Sequence, residues 1–79
     1  MTMIQIKELD IIVTTAAVDA YLLGKASNRD VVIPSGSKGI VHMIHSPKGY
    51  PEAYTVEFHL ADLDEFALAT VMAAQLKPA

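Results

Sequence analysis

Two runs of alternating apolar and polar residues occupy the middle of the chain. The first is Gly39-Ile40-Val41-His42-Met43-Ile44-His45, and the second is Tyr54-Thr55-Val56-Glu57-Phe58-His59. A period of two sends successive side chains to opposite faces of a β-strand. Ser46-Pro47-Lys48-Gly49-Tyr50-Pro51-Glu52 lies between them and is dense in turn formers. The two runs are therefore predicted to form one antiparallel hairpin, entered through a tight turn at Gly36-Ser37-Lys38-Gly39. Centring the loop gives a register. Val41, Met43 and His45 oppose Phe58, Val56 and Tyr54 on the inner face. Ile40, His42 and Ile44 oppose His59, Glu57 and Thr55 on the outer face.

The flanking pattern adds further elements. Leu9 to Thr14 is a β-branched run and reads as a first strand, with Leu9, Ile11 and Val13 on one face and Ile12 on the other. Met1 to Lys7 is a lead-in that can add an edge strand. In Ala16 to Leu23, the residues Val18, Tyr21 and Leu22 fall at helical spacing. Thr14 or Thr15 is placed to cap the start and Gly24 the end, so a short helix is predicted, with a loop as the alternative. Lys25 to Asp30 is polar and loop-like. Val31-Val32-Ile33 is a brief apolar run ended by Pro34. Phe66 to Val71 alternates large and small residues and reads as a strand, in competition with one alanine-rich helix over 63–76. Met72 to Gln75 is predicted as a single helical or 3₁₀ turn, and Leu76-Lys77-Pro78 as a last short strand. The sum is a mainly β chain, a small five-stranded SH3-like barrel with a long first loop.

The chain has 79 residues, which is one domain, and no cysteine. Disulfides and thiolate metal sites are excluded, in keeping with a cytoplasmic setting. No apolar run approaches the roughly 20 residues that span a bilayer, and no signal peptide or membrane partner is expected. The net charge of −3 comes from nine acidic against six basic residues. The bases are scattered, so no direct nucleic-acid binding is expected. Hydrophobic residues make up 52% of the chain. That surplus suggests an interface beyond the domain's own core.

Candidate chemistry is thin. On a strand the odd spacing of His42 and His45 sends them to opposite faces. His42, Glu57 and His59 share the outer face, and two imidazoles with a carboxylate could bind a metal or move a proton. An exposed cross-strand pair without function is the simpler reading. No catalytic residue, cofactor or metal ligand is assigned. Asp62, Asp64 and Glu65 miss the calcium-loop spacing. A solvated turn is the simpler reading of them, and the sharper one is an acidic surface that meets a basic partner. The candidate partner-binding residues are therefore Ile40, His42, Ile44, Glu57, His59, Asp62, Asp64 and Glu65.

Four segments carry a family resemblance. They are Glu8-Leu9-Asp10, Gly36-x-x-Gly39-x-Val41, Glu52-Ala53-Tyr54-x-Val56-Glu57-Phe58 and Ala74-Gln75-Leu76-Lys77-Pro78. This order resembles a family of short bacterial proteins known only as a domain of unknown function, whose pattern runs ELDxVVL, GLKxGDxGTVVHVY, EAYEVEF and QLRP. The chain differs in a longer 16–30 segment, in Ser37-Lys38 where the family has an acid, and in His42-Met43 where it has valine and histidine. The resemblance implies an SH3-like barrel. It also implies kinship with immunity proteins of contact-dependent growth inhibition. Such proteins bind and neutralise a cognate toxin domain, often a nuclease, without catalysis. The other readings are a self-assembling adaptor that forms a homodimer and a small metal-dependent enzyme.

Overall fold

The structure, a computed structural model, describes residues 6–23, 28–49, 51–61 and 64–79. Seven strands form one antiparallel sheet: β1 (Ile11–Thr14), β2 (Val18–Leu23), β3 (Asn28–Ile33), β4 (Lys38–His45), β5 (Ala53–Leu60), β6 (Glu65–Met72) and β7 (Leu76–Pro78). Their order across the sheet is β3-β2-β6-β5-β4-β1-β7, so β3 and β7 are the two edges. The mainly β prediction holds. The five-stranded SH3-like barrel does not describe this sheet, which has seven strands and open edges.

The difference lies in the first loop. The helix predicted over 16–23 is instead β2, and Asn28 to Asp30, predicted as loop, belongs to β3. Val18, Ala20 and Leu22 are buried while Asp19, Tyr21 and Leu23 are exposed, which is the period of a strand. Every residue of β2 has a partner on β3, from Val18↔Ile33 to Leu23↔Asn28. Ladder pairing and half-burial outweigh the weak helical preference of so short a segment. The predicted cap Gly24 and the 25–27 stretch lie outside the described residues. So do residues 1–5 of the lead-in; Ile6 is half-buried against the core.

The second half of the chain follows the prediction closely. β4 ends at His45 and β5 starts at Ala53, leaving the expected loop between them. β6, the 3₁₀ turn Ala73–Gln75 and β7 stand where the alternation placed them, and no α-helix runs through the described residues 64–76.

The hairpin register differs. Ile40 pairs with Glu57 and Val41 with Val56, and the pairing then shifts so that Met43 faces Thr55 and Ile44 faces Tyr54. His42 is the extra residue of a β-bulge, which breaks the alternation of β4. Beyond it Met43, expected inside, is 53% exposed. Ile44, expected outside, is half-buried and packs on the core. His45 is half-buried, with Nε2 2.8 Å from the Thr55 hydroxyl.

One buried cluster draws residues from all seven strands, among them Ile12, Leu22, Ile33, Val41, Phe58, Val71 and Leu76. The sheet must therefore curl for residues near its opposite edges to share one core. Thr14 ties that curl. Its hydroxyl donates to the Pro34 carbonyl (3.0 Å) and accepts from the Ser37 N–H (3.1 Å). Its carbonyl accepts from the Gly36 N–H at 2.8 Å. Gly36 has φ +87°, which a tight turn can take from glycine without a Cβ penalty. These bonds join the end of β1 to the β3–β4 turn.

Candidate functional site

The ladder aligns an apolar row on the outer face. Ile11 pairs with Ile40, Ile40 with Glu57, Glu57 with Leu68, and Leu68 with Tyr21. Next to it on the same face, His59 pairs with Phe66. Ile11, Ile40 and Phe66 are 54%, 40% and 45% exposed. They line a hollow of about 200 Å³, with Lys38, Glu57 and His59 as its polar members.

One wall of the hollow is bare backbone. Gly39 faces the core so closely that an added Cβ would lie 2.5 Å from Val56 Cγ1 and 2.8 Å from Phe58 Cε1. A side chain there would force Val56 and Phe58 to shift, and Gly39 also lines the hollow on the opposite face. The glycine reading therefore divides. Gly36 serves the turn, whereas Gly39 serves close packing inside a strand.

Two acid–imidazole contacts frame the hollow. His59 Nε2 lies 3.2 Å from Asp64 Oδ1, and its ring centre is 4.9 Å from that of Phe66, tilted by 39°. His42 Nε2 approaches Glu57 Oε2 at 3.5 Å. The His59–Asp64 pair is solvent-exposed, a setting in which ion pairs are worth about 0–1 kcal/mol, whereas the Glu57 side chain is half-buried beside an exposed His42. They orient side chains more than they stabilise the fold. Asp64 has φ +48°, a left-handed conformation that aspartate tolerates better than most residues.

The structure thus gathers Ile40, Glu57 and His59 around one hollow. His42 reaches them through Glu57, and Asp64 through His59. Glu65 is half-buried at the start of β6, opposite Leu60. Ile44 leaves the set, because the bulge turns it toward the core. Asp62 lies outside the described residues. The trio His42, Glu57 and His59 does not converge, since each imidazole contacts a different carboxylate. Among the described residues no group of three or more His, Asp or Glu side chains could hold a metal ion. Nor is any helix there long and apolar enough to cross a membrane.

Ile11 and Phe66 were missing from the sequence-derived set. Phe66-Ala67-Leu68-Ala69 contained a signal for the second. The fully buried Ala67 and the buried Ala69 point inward, so the large residues of this alternation point out. Phe66 is accordingly exposed on the outer face and Leu68 is half-buried there. Ile11 had no such marker. It joins the hollow only because β1 pairs with β4.

No family model matches the chain, and no curated protein or solved structure matches it.

Proposed function

We propose that this chain is a cytoplasmic immunity protein that neutralises a cognate toxin domain by direct contact, without catalysis. The observation that carries the reading is the outer sheet face, where Ile11, Ile40 and Phe66 stay exposed beside Glu57 and the His59–Asp64 pair. Apolar anchors ringed by charge are the usual make-up of a protein-binding patch. The acidic balance of the chain suits a basic partner such as a nuclease, because opposite charge speeds encounter and disfavours wrong partners. The resemblance of the Glu52–Phe58 and Ala74–Pro78 segments to the bacterial family supplies the toxin–immunity setting.

Co-expression with the product of any toxin-like reading frame that lies next to this gene tests the proposal. The expected outcome is rescue of growth and a stable complex on size exclusion. Absence of both refutes it. If the chain instead runs alone as a dimer, the self-assembling reading gains. That reading draws on the β3 edge, which pairs with no further strand among the described residues, and on Val32, which is exposed beside it.

A further inference from the structure

The hollow has a chemistry of its own, and it narrows what the partner must present. At about 200 Å³ it falls below the roughly 300–1,000 Å³ of sites that enclose cofactors or drug-sized ligands. It is the size of a socket for one side chain. Its walls are of two kinds. Ile11 and Ile40 offer aliphatic surface, and Phe66 offers an aromatic ring, 45% exposed, that already meets His59 at a tilt. Glu57 offers a carboxylate whose side chain is only 28% exposed. Its neighbour among the described residues is His42 at 3.5 Å, a distance that leaves oxygen lone pairs free to accept shorter hydrogen bonds.

We propose that this hollow receives a single arginine side chain from a basic protein partner. The aliphatic stem lies on Ile11 and Ile40, and the guanidinium sits between the Phe66 ring and the Glu57 carboxylate. Each part of the side chain has its match. The stem is apolar and packs well on exposed isoleucine. The planar head stacks on aromatic rings and offers a fork of donors to a carboxylate, which a lysine ammonium cannot reproduce. A partly desolvated carboxylate attracts a cation more strongly than an open-surface one does. Arginine is also among the residues that most often dominate binding interfaces. Lys38 is the opposing charge in the lining and weakens the site. The proposal rests on reading the outer face as a protein-binding surface, and it stands whether or not the partner is a toxin.

The probe is the capped tripeptide acetyl-Gly-Arg-Gly-amide, titrated at millimolar concentration into the full ¹⁵N-labelled chain. Its controls carry citrulline, which keeps the shape without the charge, or norleucine, which keeps only the stem. The arginine peptide is expected to give saturable amide shifts at Ile11, Ile40, Glu57 and Phe66, with at least tenfold weaker binding for citrulline. Glu57→Gln should remove the response with the rest of the spectrum unchanged, and Lys38→Gln should tighten binding severalfold. Equal responses to arginine, citrulline and norleucine would overturn the proposal, as would shifts that avoid the hollow. So would a Lys38→Gln variant that binds more weakly. A toxin that binds the wild-type and Glu57→Gln chains equally would remove the arginine socket and leave the immunity reading intact. A clean arginine response with no toxin partner would do the reverse.

Discussion

The two faces of β5 differ in what they do for the molecule. Inward, Tyr54, Val56 and Phe58 are buried, and Val56 and Phe58 meet the bare backbone of Gly39. Outward, Thr55 meets the half-buried His45 imidazole, Glu57 meets His42, His59 meets Asp64, and Glu57 and His59 line the hollow. Neighbouring residues of one strand thus serve opposite ends. The inner set contributes cohesion through buried area, at roughly 25 cal/mol per Å² of apolar surface. The outer set buries less apolar surface and contributes correspondingly less to folding.

Mutation of each face sharpens that contrast, beginning with the deepest site. Phe58→Ala removes a fully buried ring from a cluster shared by all seven strands. It should cost about 3–5 kcal/mol, seen as a large drop in the urea midpoint and, in so small a domain, as partial unfolding in buffer. A cost under about 1 kcal/mol would mean that the core does not close around this ring. Gly39→Ala is next. The new methyl meets Val56 and Phe58 at overlap distances, and overpacking of this kind typically costs about 1–3 kcal/mol. Thermal unfolding should show the loss, and the outer hollow should become shallower as β4 is pushed outward.

The smallest effect is expected outside the core. Leu9 has φ +72° and is 76% exposed. Left-handed geometry costs a residue with a Cβ about 1–2 kcal/mol. Glycine relieves that strain but loses about 0.5–1 kcal/mol of backbone entropy. Leu9→Gly should therefore stabilise the chain by about 0–1.5 kcal/mol, as read by urea denaturation. A substantial loss would mean that this exposed leucine supports the fold and that the division between faces is less sharp.

The bulge at His42 shows how easily the division is redrawn. With unbroken alternation, Met43 faces the core and Ile44 faces out. One extra residue exchanges them, and Ile44 becomes half-buried against the core. Nothing in Ile40-Val41-His42-Met43-Ile44 marks the bulge, because isoleucine, valine and methionine are equally acceptable on either side. Val18-Asp19-Ala20-Tyr21-Leu22-Leu23 presents the same difficulty in another form. Its apolar positions satisfy a period of 3.6 and a period of 2, and alanine and leucine favour the helix. Only pairing with β3 along its whole length and with β6 at Tyr21 and Leu22 selects the strand.

Where turn chemistry and alternation agree, the chain was legible from its residues alone. The Ser46–Glu52 loop, the strands on either side of it, β6 and the final 3₁₀ turn into β7 all belong to that class. So does the outward placement of Ile40, Glu57 and His59, because local backbone geometry dictates which side chains share a face. Tertiary structure decided the rest. It made the first loop a hairpin, opened the sheet to seven strands, and brought Ile11 and Phe66 from strands far apart in sequence to the same hollow. The physical reason is that strand pairing between distant segments depends on shared burial and backbone hydrogen bonds. Neither leaves a pattern within a single short segment.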